Sequence, residues 1–123
     1  MRRLLLIALA ALLCGCGGKS TNDLVEQLHA RDSADRLHAI RALETRGSEA
    51  DVVVPALAEA LRDHDVFVRR DAALALGRLG PEAQQAVPYL VPVLRDRDRA
   101  VRKASAQALK KIDPQAATRA GVR

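Results

Sequence analysis

A fixed shift of 33 residues lays one stretch of this chain onto another. Residues 54–81 read VPALAEALRDHDVFVRRDAALALGRLGP, and residues 87–114 read VPYLVPVLRDRDRAVRKASAQALKKIDP. Leu57/Leu90, Leu61/Leu94, Asp63/Asp96, Asp65/Asp98, Val68/Val101, Arg69/Arg102, Leu76/Leu109 and Pro81/Pro114 coincide, and Arg70/Lys103, Ala72/Ser105 and Leu79/Ile112 are mild exchanges. An earlier copy keeps the register less well, with Leu24, Leu28, Asp32, Arg36, Ala39, Ala42, Leu43 and Gly47 at the matching places. A period of this length means stacked units, each too small to bury its own apolar face alone.

The units are helical. About half of the residues are apolar, yet Phe67 and Tyr89 are the only aromatic ones, and Ala and Leu dominate. That mixture favours closely packed helices over sheets. The stripes Val68, Ala72, Ala75, Leu76, Leu79 and Val101, Ser105, Ala108, Leu109, Ile112 follow helical spacing. The periodicity predicts helices over 22–30, 34–45, 52–62, 66–79, 87–95 and 99–112. Asp23 with Glu26 is the expected capping box of the first, and Ser48 the expected cap opening the second repeat. Gly47 and Gly80-Pro81 are expected to stop helices. Pro55 is expected near a helix start, where its missing N–H costs nothing, while Pro92 lies deeper and should distort its helix. The expected fold class is all-α: an α-α superhelix, a short solenoid of about three helical pairs, over 22–114. The tail, 115–123, carries few apolar residues to hold a further helix. Val101, Leu109 and Ile112 then need a cover, which the tail, a partner or a second copy would supply. Self-association through the C-terminal repeat is therefore an expectation, and a remnant of a longer array is another reading.

The N-terminus is a separate matter. Met1-Arg2-Arg3 and the apolar run 4–13 have the layout of a secretory signal. At ~1.5 Å per residue such a run reaches roughly half of a ~30 Å hydrocarbon core, so it is too short to span one. Leu13-Cys14-Gly15-Cys16 resembles a lipobox, with an aliphatic residue at minus three, a small one at minus one, and then the cysteine that receives diacylglycerol. The resemblance implies a lipoprotein signal peptide over 1–15, fatty chains such as palmitate on Cys16, and a lipidated tether over 16–21. An ordinary signal or an uncleaved anchor is the alternative. Gly17, Gly18 and Lys19, rather than Asp, follow the cysteine. The expected location is exported and membrane-anchored, at the outer membrane or periplasmic face of a two-membraned cell. Without Arg2 and Arg3 the chain keeps 18 basic residues against 15 acidic ones, an excess that permits an anionic partner without demanding one.

Little in the chain suggests chemistry. Both cysteines lie in the leader, so the repeats build neither a disulfide nor a thiolate zinc site. Gly18-Lys19-Ser20-Thr21 looks like the end of a phosphate-binding loop, but Leu13 stands where its first glycine belongs. His29, His38 and His64 have no partners at metal-ligand spacing and are expected in solvent. No Ser or Thr has a His/Asp arrangement that would make it a nucleophile. We expect no catalytic residue, no metal, no cofactor and no enzyme activity.

The pattern L-x-D-x-D-x-x-V-R-x-x-A-x-x-A-L-G-x-L-G, carried by Leu61 through Gly80, resembles the HEAT-like repeats, particularly the short bacterial type also found in phycobilisome-lyase relatives. A third copy runs from Leu94 through Asp113, with Lys110 and Asp113 in place of glycines. With the leader, the whole resembles a HEAT-repeat lipoprotein. In this repeat family the ladder Asp32/Arg36, Asp65/Arg69, Asp98/Arg102 is structural. Each Asp is expected to cap an inner helix, and each Arg to bond back to it and to the next repeat. Inner helices of such solenoids line the concave face. That implies a basic binding surface of Arg70, Arg78, Lys103, Gln107, Lys110 and Lys111, broken in the first repeat by Leu37 and Glu44. The expected function is a membrane-anchored scaffold or adaptor holding a protein partner on its concave face. A lyase-type subunit related to the bilin lyases is the alternative. Nucleic acid is not an expected partner, since the chain has almost no aromatic residues for stacking on bases, a modest charge and an export signal.

Overall fold

The computed structural model describes residues 17–123. The signal peptide, the lipobox and Cys16 lie outside the described residues.

The first pair is α1 (Thr21–Gln27) and α2 (Ser33–Leu43). A 3-10 turn, Gly47–Glu49, leads to the second pair, α3 (Ala50–Ala60) and α4 (Val66–Leu79). A longer 3-10 segment, Gly80–Ala86, leads to α5 (Val87–Val93) and α6 (Arg99–Ile112), and α7 (Pro114–Arg119) closes the described chain. The inner helices α2, α4 and α6 stack as one layer, with α4 against α6 the most extensive contact. The outer elements α1, α3 and the Gly80–Ala86 segment with α5 pack on it. Ile40, Leu43, Leu57, Val68, Leu76, Leu90, Val101 and Leu109 are buried in one continuous core, each worth roughly 1.5–3 kcal/mol relative to exposure. Small residues set how closely α4 and α6 approach. A Cβ on Gly77 would lie 3.0 Å from Cα of Ala108.

The bounds of α4 and α6 are those that the periodicity predicts. Gly80, at φ 65°, ends α4 in a conformation that suits glycine. Elsewhere the structure corrects the sequence reading. The box that caps α1 is Ser20 with Asp23, not Asp23 with Glu26: Asp23 N donates to Ser20 Oγ at 3.1 Å and Ser20 N to Asp23 Oδ2 at 3.0 Å. Lys19 to Thr21 are thus part of the fold rather than tether. Arg46 donates to the Lys19 carbonyl and to Thr21 Oγ1, both at 2.8 Å. The residues of the apparent phosphate loop serve capping and packing. Gly47 does not stop α2, which ends at Leu43, but opens the 3-10 turn. Ser48 is inside that turn and caps nothing. Pro55 lies within α3, not near its start. It and Asp51, the residue whose carbonyl loses a donor, are both exposed, where water replaces the bond. Pro92 sits one residue before the end of α5, which stops at Val93.

The tail folds. Asp113 Oδ1 accepts from Ala116 N at 2.9 Å, Gln84 Nε2 donates to Asp113 Oδ2 at 2.8 Å, and Pro114 starts α7 without needing an N–H. Ala116 and Ala117 are buried, and Val122 packs on the core. Val101, Leu109 and Ile112 are consequently covered within the chain. The uncovered end that motivated self-association is not there.

Candidate functional site

The joints between repeats are built from the D-x-D turns. The second aspartate of each turn, with Asp32 at the equivalent place, caps an inner helix. Ala34 N donates to Asp32 Oδ1 at 2.8 Å, Phe67 N and Val68 N to Asp65 Oδ1 at 2.8 and 3.1 Å, and Ala100 N and Val101 N to Asp98 Oδ1 at 2.8 and 3.1 Å. The arginine four residues on does not bond back to that aspartate. Its Nη1 donates instead to two carbonyls of its own turn: Arg36 to Ala30 and Arg31, Arg69 to Asp63 and His64, Arg102 to Asp96 and Arg97, all at 2.8–3.2 Å.

The other edge of the guanidinium reaches the next repeat, and there its partner is the first aspartate of the turn. Arg69 Nε and Nη2 donate to Asp96 Oδ2 and Oδ1 at 2.9 and 3.2 Å, a bidentate fork. Arg36 Nη2 donates to Asp63 Oδ1 at 3.1 Å, while its Nε lies 2.9 Å from Asp63 Oδ2 but out of line for a hydrogen bond. Asp63 and Asp96 also accept the amides of Asp65 and Asp98, which holds their carboxylates in place. Arg36 and Arg69 are 4 % and 6 % exposed, so these pairs are largely desolvated. Burial pushes the Asp96 carboxyl up. The Asp98 amide and the Arg69 guanidinium more than offset this, and its pKa sits below the ordinary carboxylate value. Asp63 and Asp96 are what the sequence reading missed. Their signal was available: Ala30 stands in their place in the first repeat, where the described residues offer no preceding rung to receive.

The basic surface expected on the inner helices divides in two. On α4 it is neutralised. Arg70 forks onto Asp71 Oδ1 at 2.9–3.0 Å and lies 5.3 Å from the Phe67 ring centroid, and Arg78 pairs with Glu44 at 2.5 Å. Glu44, which breaks the basic pattern in the alignment, is therefore the counterion of Arg78, and Arg41 also lies 3.7 Å from Asp71. On α6, Lys103, Gln107, Lys110 and Lys111 are all exposed. Lys110 donates to the Arg123 carbonyl. Lys103 and Lys111 have no carboxylate partner among the described residues.

Hollows flank this scaffold, among them one of about 330 Å³ at the joint, lined by Val66, Arg69, Arg97 and Asp98. One of about 300 Å³, between α3 and the start of α5, is walled by Glu59, Arg62, Gln85 and exposed Tyr89. One of about 340 Å³ lies between α1 and α3 beside His29. A broad groove of about 1150 Å³ lies beyond α6, at the C-terminal end. His29, His38 and His64 are exposed. Among the described residues no cluster of His, Cys, Asp and Glu is placed to hold a metal.

Stacked helical pairs joined by arginine rungs define a helical-repeat solenoid. The model of the HEAT repeats matches residues 21–110, and the chain belongs to that family. It is similar to a chain in the structure of the complex of CpcE and CpcF of phycocyanin lyase from Nostoc sp. PCC7120, with 30 % identity and a TM-score of 0.74. The match covers 86 % of this chain and 42 % of that one, so this chain spans less than half the length of its structural neighbour. No curated protein matches it.

Proposed function

We propose that the protein is a non-catalytic HEAT-repeat adaptor, exported and held at a membrane by fatty chains on Cys16, that binds a partner protein. The observation that carries the reading is the contrast between α4, whose cations are paired internally, and α6, which presents Lys103, Gln107 and Lys111 to solvent. A desolvated carboxylate of a partner gains more from a cation with no internal counterion. Acyl chains contribute about 0.8 kcal/mol per buried methylene, and two or more give stable attachment. Among the described residues no helix is long and apolar enough to cross a membrane, so attachment in this reading rests on the leader.

The likeness to a chain of the phycocyanin lyase complex favours a second reading, a subunit of a lyase-type enzyme. The secretory layout of the leader argues for the first. Metabolic labelling with a fatty acid, followed by fractionation, tests it. The wild type should carry label and sediment with membranes, and Cys16→Ala should lose both. Crosslinking in the same cells should capture a partner that Lys103→Glu/Lys111→Glu releases. An unlabelled, freely soluble wild-type protein would sink the adaptor reading and favour the enzyme subunit.

A further inference from the structure

Among the described residues the ladder has three arginines and two rungs, Arg36 to Asp63 and Arg69 to Asp96. Arg102 is held by its own turn as Arg36 and Arg69 are, with Nη1 donating to the carbonyls of Asp96 and Arg97 at 2.8 and 3.2 Å. Its Nε and Nη2, the edge that meets Asp63 and Asp96 at the other two joints, reach no carboxylate among the described residues. Arg102 lines the wide C-terminal groove together with Arg95, Arg99, Lys103, Arg119 and Arg123, and no acidic side chain lines it. A pre-positioned guanidinium fork among cations, in a groove lined by no acidic side chain, is a carboxylate receptor whose ordering cost is already met by the fold.

The occupant is further narrowed by the first repeat. A second copy stacked head-to-tail in register would bring Ala30 to Arg102, where the internal joints bring Asp63 and Asp96. It would leave the fork empty. The Asp63 and Asp96 carboxylates of a second copy are already engaged by Arg36 and Arg69. We infer that the C-terminal groove docks an aspartate-bearing turn of a second, different protein, with Arg102 as the anchor for its carboxylate. The inference rests on the binding-protein reading and names the surface and the chemistry of the partner. Its failure leaves the membrane labelling and the crosslink untouched, so the two are distinguishable.

The probe is the natural occupant of such a joint, a labelled peptide of residues 61–71, LRDHDVFVRRD. Fluorescence anisotropy with the full-length chain in non-ionic detergent should show saturable binding below about 1 mM. Changing the peptide's Asp63→Asn, or the protein's Arg102→Ala, should weaken it by about tenfold or more. Arg102→Lys should not restore it, because an ammonium cannot fork. Arg99→Glu/Arg119→Glu, which touches none of the turn bonds, should weaken it as well, and Arg78→Ala, on α4, should not. No saturation by about 1 mM, or equal binding by Arg102→Ala with an unchanged helical spectrum, overturns the inference. So does displacement of the peptide by inorganic phosphate or phosphatidylglycerol vesicles at equal anion concentration, which would mark a general anionic patch.

Discussion

The two sides of α6 present the same repeat unit in two conditions. Toward α4 the helix is sealed. Ala108 meets Gly77 at backbone distance, Ser105 donates to the Leu90 carbonyl at 2.7 Å across to α5, and Asp96 in the preceding turn takes both arms of Arg69. Away from α4, α7 and Val122 cover it among the described residues, and Arg102 lines a groove that holds no acidic side chain. An arginine at the same register position is thus a buried structural joint at one step and, at the next, a half-exposed fork with no carboxylate partner among the described residues. The difference is not in the residue or its own turn, which holds all three arginines alike. It is whether a further repeat brings a carboxylate.

That contrast is broken or sharpened by substitution. Arg69→Ala leaves the nearly buried Asp96 carboxylate without its counterion and should cost roughly 3–5 kcal/mol in urea unfolding. Next comes Gly77→Val, which drives a branched side chain into Ala108 and should cost about 1–3 kcal/mol; equal stability would mean that the seam gives way easily. Arg102→Ala loses only its turn bonds and should cost about 1 kcal/mol. Similar losses for Arg69→Ala and Arg102→Ala would erase the distinction between closed and open rungs. Ser105→Ala should also cost about 1 kcal/mol, since it orphans the buried Leu90 carbonyl, even though Ala72 is the residue at the matching place one repeat earlier.

The smallest effect is in pH. The folded pKa of Asp96 is depressed, so its contribution is fully present above the unfolded carboxylate value, about 4. It is lost as pH falls through the lower folded value. Melting of the wild type should therefore fall more steeply in that acid window than melting of Asp96→Asn, and parallel curves would contradict the assignment.

What was legible in the sequence follows from which forces repeat. Helices α4 and α6 could be placed residue by residue because an aspartate cap, an apolar stripe and a Gly-Pro or Asp-Pro stop recur at one period. The capping role of Asp32, Asp65 and Asp98 was readable for the same reason. The partners of the arginines were not, because the acceptor is 27 residues away, across a joint whose geometry no local pattern encodes. The pairing of Arg78 with Glu44 and of Arg70 with Asp71 has no repeat counterpart, so the basic surface read from the alignment was too large. The tail was misjudged because Ala116 and Ala117 of α7, with Val122 beyond it, suffice to hold it on the core. Close packing of small side chains substitutes for the large apolar residues that a pattern search looks for.

The central claim is that a carboxylate from the next repeat closes each rung. A double-mutant cycle on Arg69→Ala and Asp96→Ala in urea tests it most directly. Coupling of about 2 kcal/mol or more is expected, because removing the second partner relieves the charge stranded by the first. Additivity within about 0.5 kcal/mol would contradict the account and reduce the ladder to a set of helix caps.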